Sequence, residues 1–284
     1  GAGAVRGNGS LADFGVGFHS VPLAAESRGL DWPAIEHALA RARPSAVLVQ
    51  RSCGYSFRPT VSLSDIARLV SLVRRAGPEG CMVLVDNCYC EFVEAREPVS
   101  GEVGADLMMG SLIKNPGGTI APCGGYVAGN ADLVAAAEAR LTVPGSGAGA
   151  GAHLSGSNRL ILQGLFLAPA TVGEALKGGY LVSSVLTAAG FETIPGAGAG
   201  ERRDFVTAAR LGTRANLVAF CERVQATSPV GAYVRPVPGA TPGYEDEVIF
   251  ADGTFIQGST GELTCDGPLR EPFAVFCQGG NHWT

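Results

Sequence analysis

The sequence predicts an α/β protein, with a mostly parallel sheet sandwiched by helices and a smaller C-terminal α+β domain. Three observations carry this reading. Short apolar runs at 46–50, 81–86 and 105–112 alternate with amphipathic helical stretches, the pattern of strands buried in a parallel sheet. Helix start signals stand between those runs. After residue 190 the alternation gives way to strands mixed with a single helix, as in a separate α+β unit. The 284 residues are 46% hydrophobic and 17% charged, enough to bury one large core or two unequal ones. The expected division is 1–170 for the larger domain and 171–284 for the smaller.

Taken in order, Asp31 can cap a helix with Pro33 in its first turn, running to about Arg43 with Ile35, Ala38 and Leu39 on one face. Residues 46–50 follow as a buried strand. Ser62 and Asp65 have capping-box spacing ahead of an amphipathic stretch from Ile66 to Ala76, which Gly77 closes. Residues 81–86 and 105–112 supply further strands. Asn130 can cap a helix ending near Leu141, and the Gly/Ala tract from Gly145 to Ala152 reads as a flexible loop. Two helical parts, 160–167 and 171–189, precede a stop at Gly190. Strands at 248–251 and 273–277, with a helix around 217–225, build the C-terminal unit. No internal repeat is visible.

Composition excludes several classes. A net charge of -5 and a pI near 5.4 leave no basic surface for nucleic acid. No run of about 18 uninterrupted apolar residues exists, so no membrane span is expected. Gly1 to Ser10 lacks the charged start and apolar block of a secretory signal, which points to a cytoplasmic or organellar protein. The eight cysteines are irregularly spaced without a CxxC pair, so they read as reduced thiols. His19, His37, His153 and His282 are scattered, and no metal site is assigned.

Among 21 basic residues only Lys114 and Lys177 are lysine. A composition rich in glycine, alanine and arginine replaces lysine wherever arginine serves as well. An amine that attacks carbonyls is the task arginine cannot perform, because its guanidinium stays protonated. In parallel sheets ligands sit at the carboxyl ends of strands, and Arg51, Asp86 and Lys114 each follow an apolar run at that end. Lys114 stands in Gly110-Ser111-Leu112-Ile113-Lys114-Asn115-Pro116-Gly117-Gly118, where small neighbours let it reach a cleft. It is either a surface lysine in a turn or the lysine that a pyridoxal phosphate (PLP) enzyme needs for its Schiff base. The stretch is not a Walker loop, since its glycines follow the lysine. Asp86 is either a strand-end cap or the acidic partner that keeps a pyridine nitrogen protonated.

The segments Val85-Asp86-Asn87-Cys88-Tyr89, Gly104-Ala105-Asp106-Leu107, Gly110 to Gly118 and Gly124-Gly125-Tyr126 resemble the aluminium-resistance protein family, itself similar to cystathionine β-lyase and methionine γ-lyase. Further matches run from Gln50 to Tyr55, Gln163 to Pro169 and Gly267 to Pro272, so the resemblance covers nearly the whole chain. It implies a fold-type-I PLP enzyme, a homodimer or homotetramer with its active site at a subunit interface. It also implies a carbon–sulfur lyase that acts on a sulfur-containing amino acid by β- or γ-elimination. Transamination or racemisation would use the same residues, and a non-catalytic remnant is the reading from another class.

Carried over by position, Lys114 would form the Schiff base, Asp86 would face the ring nitrogen, and Ser111 would reach the cofactor phosphate. Arg270, Arg51 and Arg58 are candidates for the substrate carboxylate, each alternatively a structural ion pair. Tyr55 either lines the same cleft or packs with a satisfied hydroxyl. The chain opens inside the family pattern near Gly9-Ser10-Leu11. The phosphate cup and an aromatic stacked on the cofactor are therefore expected upstream, and the large domain is expected to lack its N-terminal part. The Gly145 to Gly151 tract replaces a stretch that carries acidic residues in relatives.

Overall fold

The capping signals form the helices they announce. A computed structural model describes residues 9–282, apart from 144, 146, 148–155, 199, 257 and 260. Asp31 accepts a hydrogen bond from the Ala34 amide at 3.0 Å ahead of α1 (Trp32–Ala42). Ser62 and Asp65 close a reciprocal capping box on α2 (Leu63–Ala76). Asn130 accepts from the amides of Asp132 and Leu133 at the start of α3 (Ala131–Leu141). Most of the Gly145 to Ala152 tract lies outside the described residues, as do His153 and the first eight residues of the chain.

The first sheet has the order β1 (Ala46–Gln50), β2 (Met82–Asp86), β3 (Leu107–Ser111), β4 (Gly125–Gly129). β1, β2 and β3 run parallel, and β4 is antiparallel to β3. Ile35 and Leu39 of α1 and Ile66, Leu69, Leu72 and Val73 of α2 close one core with Val49, Val83 and Val85. Each of these side chains is worth about 1.5–3 kcal/mol relative to leaving it in water. The other face is more open: Leu48 is 61% exposed, and Met82 and Leu84 are half-buried. This corrects the expectation of a sheet evenly sandwiched by helices. The runs are apolar on both faces, but only one face meets α1 and α2.

The second sheet is wholly antiparallel, in the order β5 (Thr193–Ile194), β6 (Thr207–Arg210), β9 (Ala274–Gln278), β8 (Thr264–Pro268), β7 (Val248–Asp252). Helix α5 (Arg214–Thr227) packs Leu217 and Cys221 against it. Between the sheets runs α4 (Ser157–Ala188), one continuous helix with Pro169 inside it, where the sequence predicted two parts. It packs on β5, β6 and β9 and on the turn after β3. The expected domain boundary at residue 170 thus falls within an element that touches both units. By length and composition α4 is also apolar enough to cross a membrane, although polar residues interrupt its apolar runs, so the expectation of no membrane span does not follow from run length alone. Its buried stripe of Gly164, Ala168, Val172, Ala175, Gly178 and Ser183 is small-sided and packs on protein.

A second tie between the sheets is the segment after β1. Ser52 and Thr60 donate to the buried carboxylate of Asp204 at 2.9 and 2.6 Å. Cys53 packs with Val206, Ala208, Ala274 and Phe276. All eight cysteines are free thiols, and burial pushes Cys53 up to about 12. Among the described residues no group of His, Cys, Asp and Glu could hold a metal ion.

Candidate active site

Strand register builds the site. Gln50, Asp86 and Met109 sit side by side across β1, β2 and β3. The residues that follow them, Arg51, Asn87 and Ser111 to Lys114, therefore leave one carboxyl edge. Lys114 opens a short 3-10 turn, Asn115–Gly117, and its carbonyl accepts from the Gly117 amide at 2.9 Å. That turn lies directly on α4. A β-carbon on Gly164 would collide with the carbonyl of Gly117, and one on Gly118 with the carbonyl of Gly164, so the helix backbone itself supports the lysine.

The Lys114 ammonium lies 4.3 Å from the centre of the Tyr89 ring, a cation–π contact. Among the described residues its nitrogen makes no hydrogen bond or ion pair, whereas Lys177 is paired with Glu174 at 2.5 Å on the surface. Asp86 Oδ1 accepts from the Cys88 amide at 3.1 Å, and Ser111 Oγ accepts from the Ile113 amide at 3.4 Å. Cys88 lies in the field of both Lys114 and Asp86. Burial pushes its thiol up to about 11, with Lys114 opposing and Asp86 reinforcing the shift. Lys114, Asp86 and Ser111 are thus brought together at one strand edge.

The loop after β2 is stapled in place by Arg51, which has no exposed surface. Its guanidinium donates to the Val61 carbonyl at 3.3 Å, to Asn87 Oδ1 at 2.9 Å and to Glu94. Asn87 in turn donates to Glu97 at 2.7 Å. The staple fixes Tyr89, whose φ of 74° is a left-handed conformation that costs a residue with a β-carbon. Its ring packs edge-on against Phe205, with 6.0 Å between centroids. Arg58 is buried too, and it donates to the carbonyls of Gln50, Arg51, Ser52 and Pro59. Both guanidiniums are consumed by protein acceptors, so neither is placed for the substrate role expected of it.

The second sheet supplies residues the sequence did not single out. Asp266 of β8 is buried within the electrostatic reach of Lys114, accepts from the Tyr55 hydroxyl, and accepts from Gln278 Nε2 at 2.7 Å. Burial pushes its carboxyl up to about 6, and Tyr55, Gln278 and Lys114 act the other way. Tyr55 also stacks obliquely on Tyr244, with centroids 5.1 Å apart. Arg270 donates to the Tyr55 carbonyl at 3.2 Å and to Asp246 at 2.9 Å, with 45% of its side chain exposed. Tyr55 and Arg270 therefore join the Lys114 neighbourhood through Asp266. A cleft of about 530 Å³ lined by Leu63, Glu94, Leu176, Tyr180 and Arg202 includes neither Lys114 nor Asp86.

The donor set fits an aldehyde-bearing cofactor with an aromatic nitrogen. It offers an amine with no ion pair among the described residues, a carboxylate on the neighbouring strand end, a hydroxyl and an aromatic face. Glu91 Oε2, Asn115 Oδ1 and Gln278 Oε1 are buried polar atoms without a hydrogen-bond partner around it.

Fold and site together define a lysine-centred α/β protein with two sheets joined by one long helix. The chain belongs to the methionine gamma-lyase family, whose model matches residues 2–284. It is 43% identical over 279 residues to the uncharacterised protein YnbB of Bacillus subtilis (strain 168), covering 97% of this chain. The chain spans 65% of that relative's length. A Listeria innocua structure, provisionally named a cystathionine beta-lyase involved in aluminium resistance, matches with a TM-score of 0.88 and 43% identity. That match covers 98% of this chain and 67% of the other. A carbon-sulfur lyase involved in aluminium resistance from Clostridium novyi NT matches with a TM-score of 0.85 and 40% identity, over 97% and 63% of the two chains.

Proposed function

We propose that this chain carries the catalytic lysine of a PLP-dependent carbon–sulfur lyase, which eliminates at the β or γ carbon of a sulfur-containing amino acid. The architecture would be that of a fold-type-I enzyme acting as a homodimer or homotetramer. The observation that carries the proposal is Lys114, a lysine with no hydrogen bond or ion pair among the described residues, set at the same strand edge as Asp86 and over the Tyr89 ring. The names given to the Listeria and Clostridium relatives support the reaction class.

When bound, PLP supplies an electron sink for charge that develops at the substrate Cα. Lys114 would hold its aldehyde and move the proton at Cα. Asp86 would keep the ring nitrogen protonated, and the Ser111 hydroxyl would reach the phosphate. Arg270 takes the substrate carboxylate in this reading, since its fork is half-exposed whereas those of Arg51 and Arg58 are not. In this reading Tyr55, whose hydroxyl donates to Asp266, would line the substrate side from the second sheet.

The test is reductive trapping with PLP followed by peptide mass spectrometry, alongside keto acid release from cysteine, cystathionine and methionine. Lys114→Ala should abolish the adduct, and Lys177→Arg should leave it. Trapping on Lys177 alone overturns the assignment. Asp86→Asn should keep the fold while lowering turnover by orders of magnitude. Arg270→Lys should raise KM without reducing trapping, because a point charge does not reproduce a bidentate fork.

A further inference from the structure

A pair of thiols in the second sheet has no part in the roles proposed above. Cys265 of β8 and Cys277 of β9 stand directly opposite each other in the antiparallel register. Their side chains leave the sheet on one face and join the same core cluster as Leu217 and Cys221 of α5. The two sulfurs are 3.1 Å apart, with the Cys265 S–H donating to Cys277 Sγ. Both residues are free thiols, 2% and 3% exposed. One residue further along each strand Asp266 accepts from Gln278 at 2.7 Å, so a second tie holds the two strands in this register. Opposed β-carbons in an antiparallel pair lie about 4.5–5.5 Å apart, and a disulfide needs about 3.5–4.5 Å. With the sulfurs already in contact, a bond between them asks the strands to close by only about an ångström.

We propose that Cys265 and Cys277 are a reversible redox site, joined into a cross-strand disulfide by hydrogen peroxide and released by a dithiol. The bond to Cys277 and burial both push the Cys265 thiol well up, so Cys265 keeps its proton and the first attack falls to Cys277. Cys277 Sγ attacks one peroxide oxygen and the O–O bond breaks. The departing hydroxide takes the Cys277 proton, leaving a sulfenic acid and one water. The Cys265 sulfur then attacks the Cys277 sulfur and displaces hydroxide, which leaves with the Cys265 proton as a second water. Two thiols are oxidised and one peroxide is reduced. Burial makes the first step slow, and contact between the sulfurs makes the second fast. Peroxide is uncharged and little larger than water, so it enters through small local openings that exclude a glutathione-sized disulfide. A dithiol reverses the bond by two exchange steps and departs as its own disulfide.

The test exposes the whole chain to hydrogen peroxide at a dose that leaves its circular dichroism unchanged. The remaining thiols are alkylated in denaturant, and the unreduced peptides are mapped by mass spectrometry. The expected product is a peptide pair linked through Cys265 and Cys277, two hydrogen atoms lighter than its parts and abolished by dithiothreitol. Cys265→Ser should lose the link and leave Cys277 as a sulfenic acid that dimedone captures, whereas Cys277→Ser should leave Cys265 unlabelled. The half-buried Cys88 and Cys123 report how far the oxidant has acted. If both are oxidised while Cys265 and Cys277 of the wild-type chain remain open to alkylation, the proposal is overturned. A link from Cys265 to Cys221 instead of Cys277 overturns it equally.

Discussion

A guanidinium with no exposed surface and three protein acceptors has nothing left to offer a substrate, and this separates Arg51 from Arg270. Arg51→Met would leave Glu94, Asn87 Oδ1 and the Val61 carbonyl without their donor. Breaking a buried pair from one side costs about 3–5 kcal/mol, so urea unfolding should register a loss of that order. Glu91 makes the opposite case. Its folded value of about 7 stands above the ordinary 4.5, so the folded state holds the proton more tightly than the unfolded chain. The stability this contributes is present at low pH and is lost as pH rises between those two values. Glu91→Gln should therefore match wild type below that window. Above it the variant should be more stable, by on the order of 3 kcal/mol in chemical denaturation. Arg51, Asp86 and Lys114 could be set at one strand edge from the sequence because strand ends can be counted, whereas Ser111 entered only through the family resemblance. The places of Glu91, Tyr89 and Asp266 could not be read so, since a loop stapled by Arg51 and a strand of the second sheet deliver them.

Elements with local signals formed as read, and those that depend on neighbours did not announce themselves. The caps at Asp31, Ser62 and Asn130 are short-range chemistry visible in any window of four residues. By contrast β8 reads Thr-Cys-Asp-Gly-Pro, a run poor in strand formers, and is wholly buried because β7 and β9 flank it. Two helical parts were read where α4 is continuous; Pro169 inside it removes one backbone donor and crowds the preceding turn, and packing on the second sheet and on the turn after β3 carries the helix through it. The contact between Gly164 and the Gly117-Gly118 turn was hidden for the same reason: close approach of two backbones leaves no periodic mark. Gly164→Ala should force α4 off the lysine turn. The expected cost is about 1–3 kcal/mol in unfolding, with slower trapping at Lys114 as the local signature.

At the scale of the whole molecule, apolar surface is left over. Phe166 on α4 is 84% exposed, and Leu162, Leu141 and Val143 are exposed as well. If the homo-oligomer proposed above closes over α4, Phe166→Asp should shift sedimentation toward the monomer at unchanged helical content. The way Arg51 is buried has a further consequence that shows up in ionic strength. Dissolved ions screen charges they can surround: the Debye length is about 10 Å at 0.1 M salt and about 3 Å at 1 M. They can approach the half-exposed Arg270–Asp246 pair but not the enclosed guanidinium of Arg51. Concentrated salt should therefore loosen the grip on an incoming carboxylate while the loop that carries Tyr89 and Glu91 stays where it is. A titration with potassium chloride would then raise KM steeply and leave both the melting temperature and the trapping rate at Lys114 nearly flat.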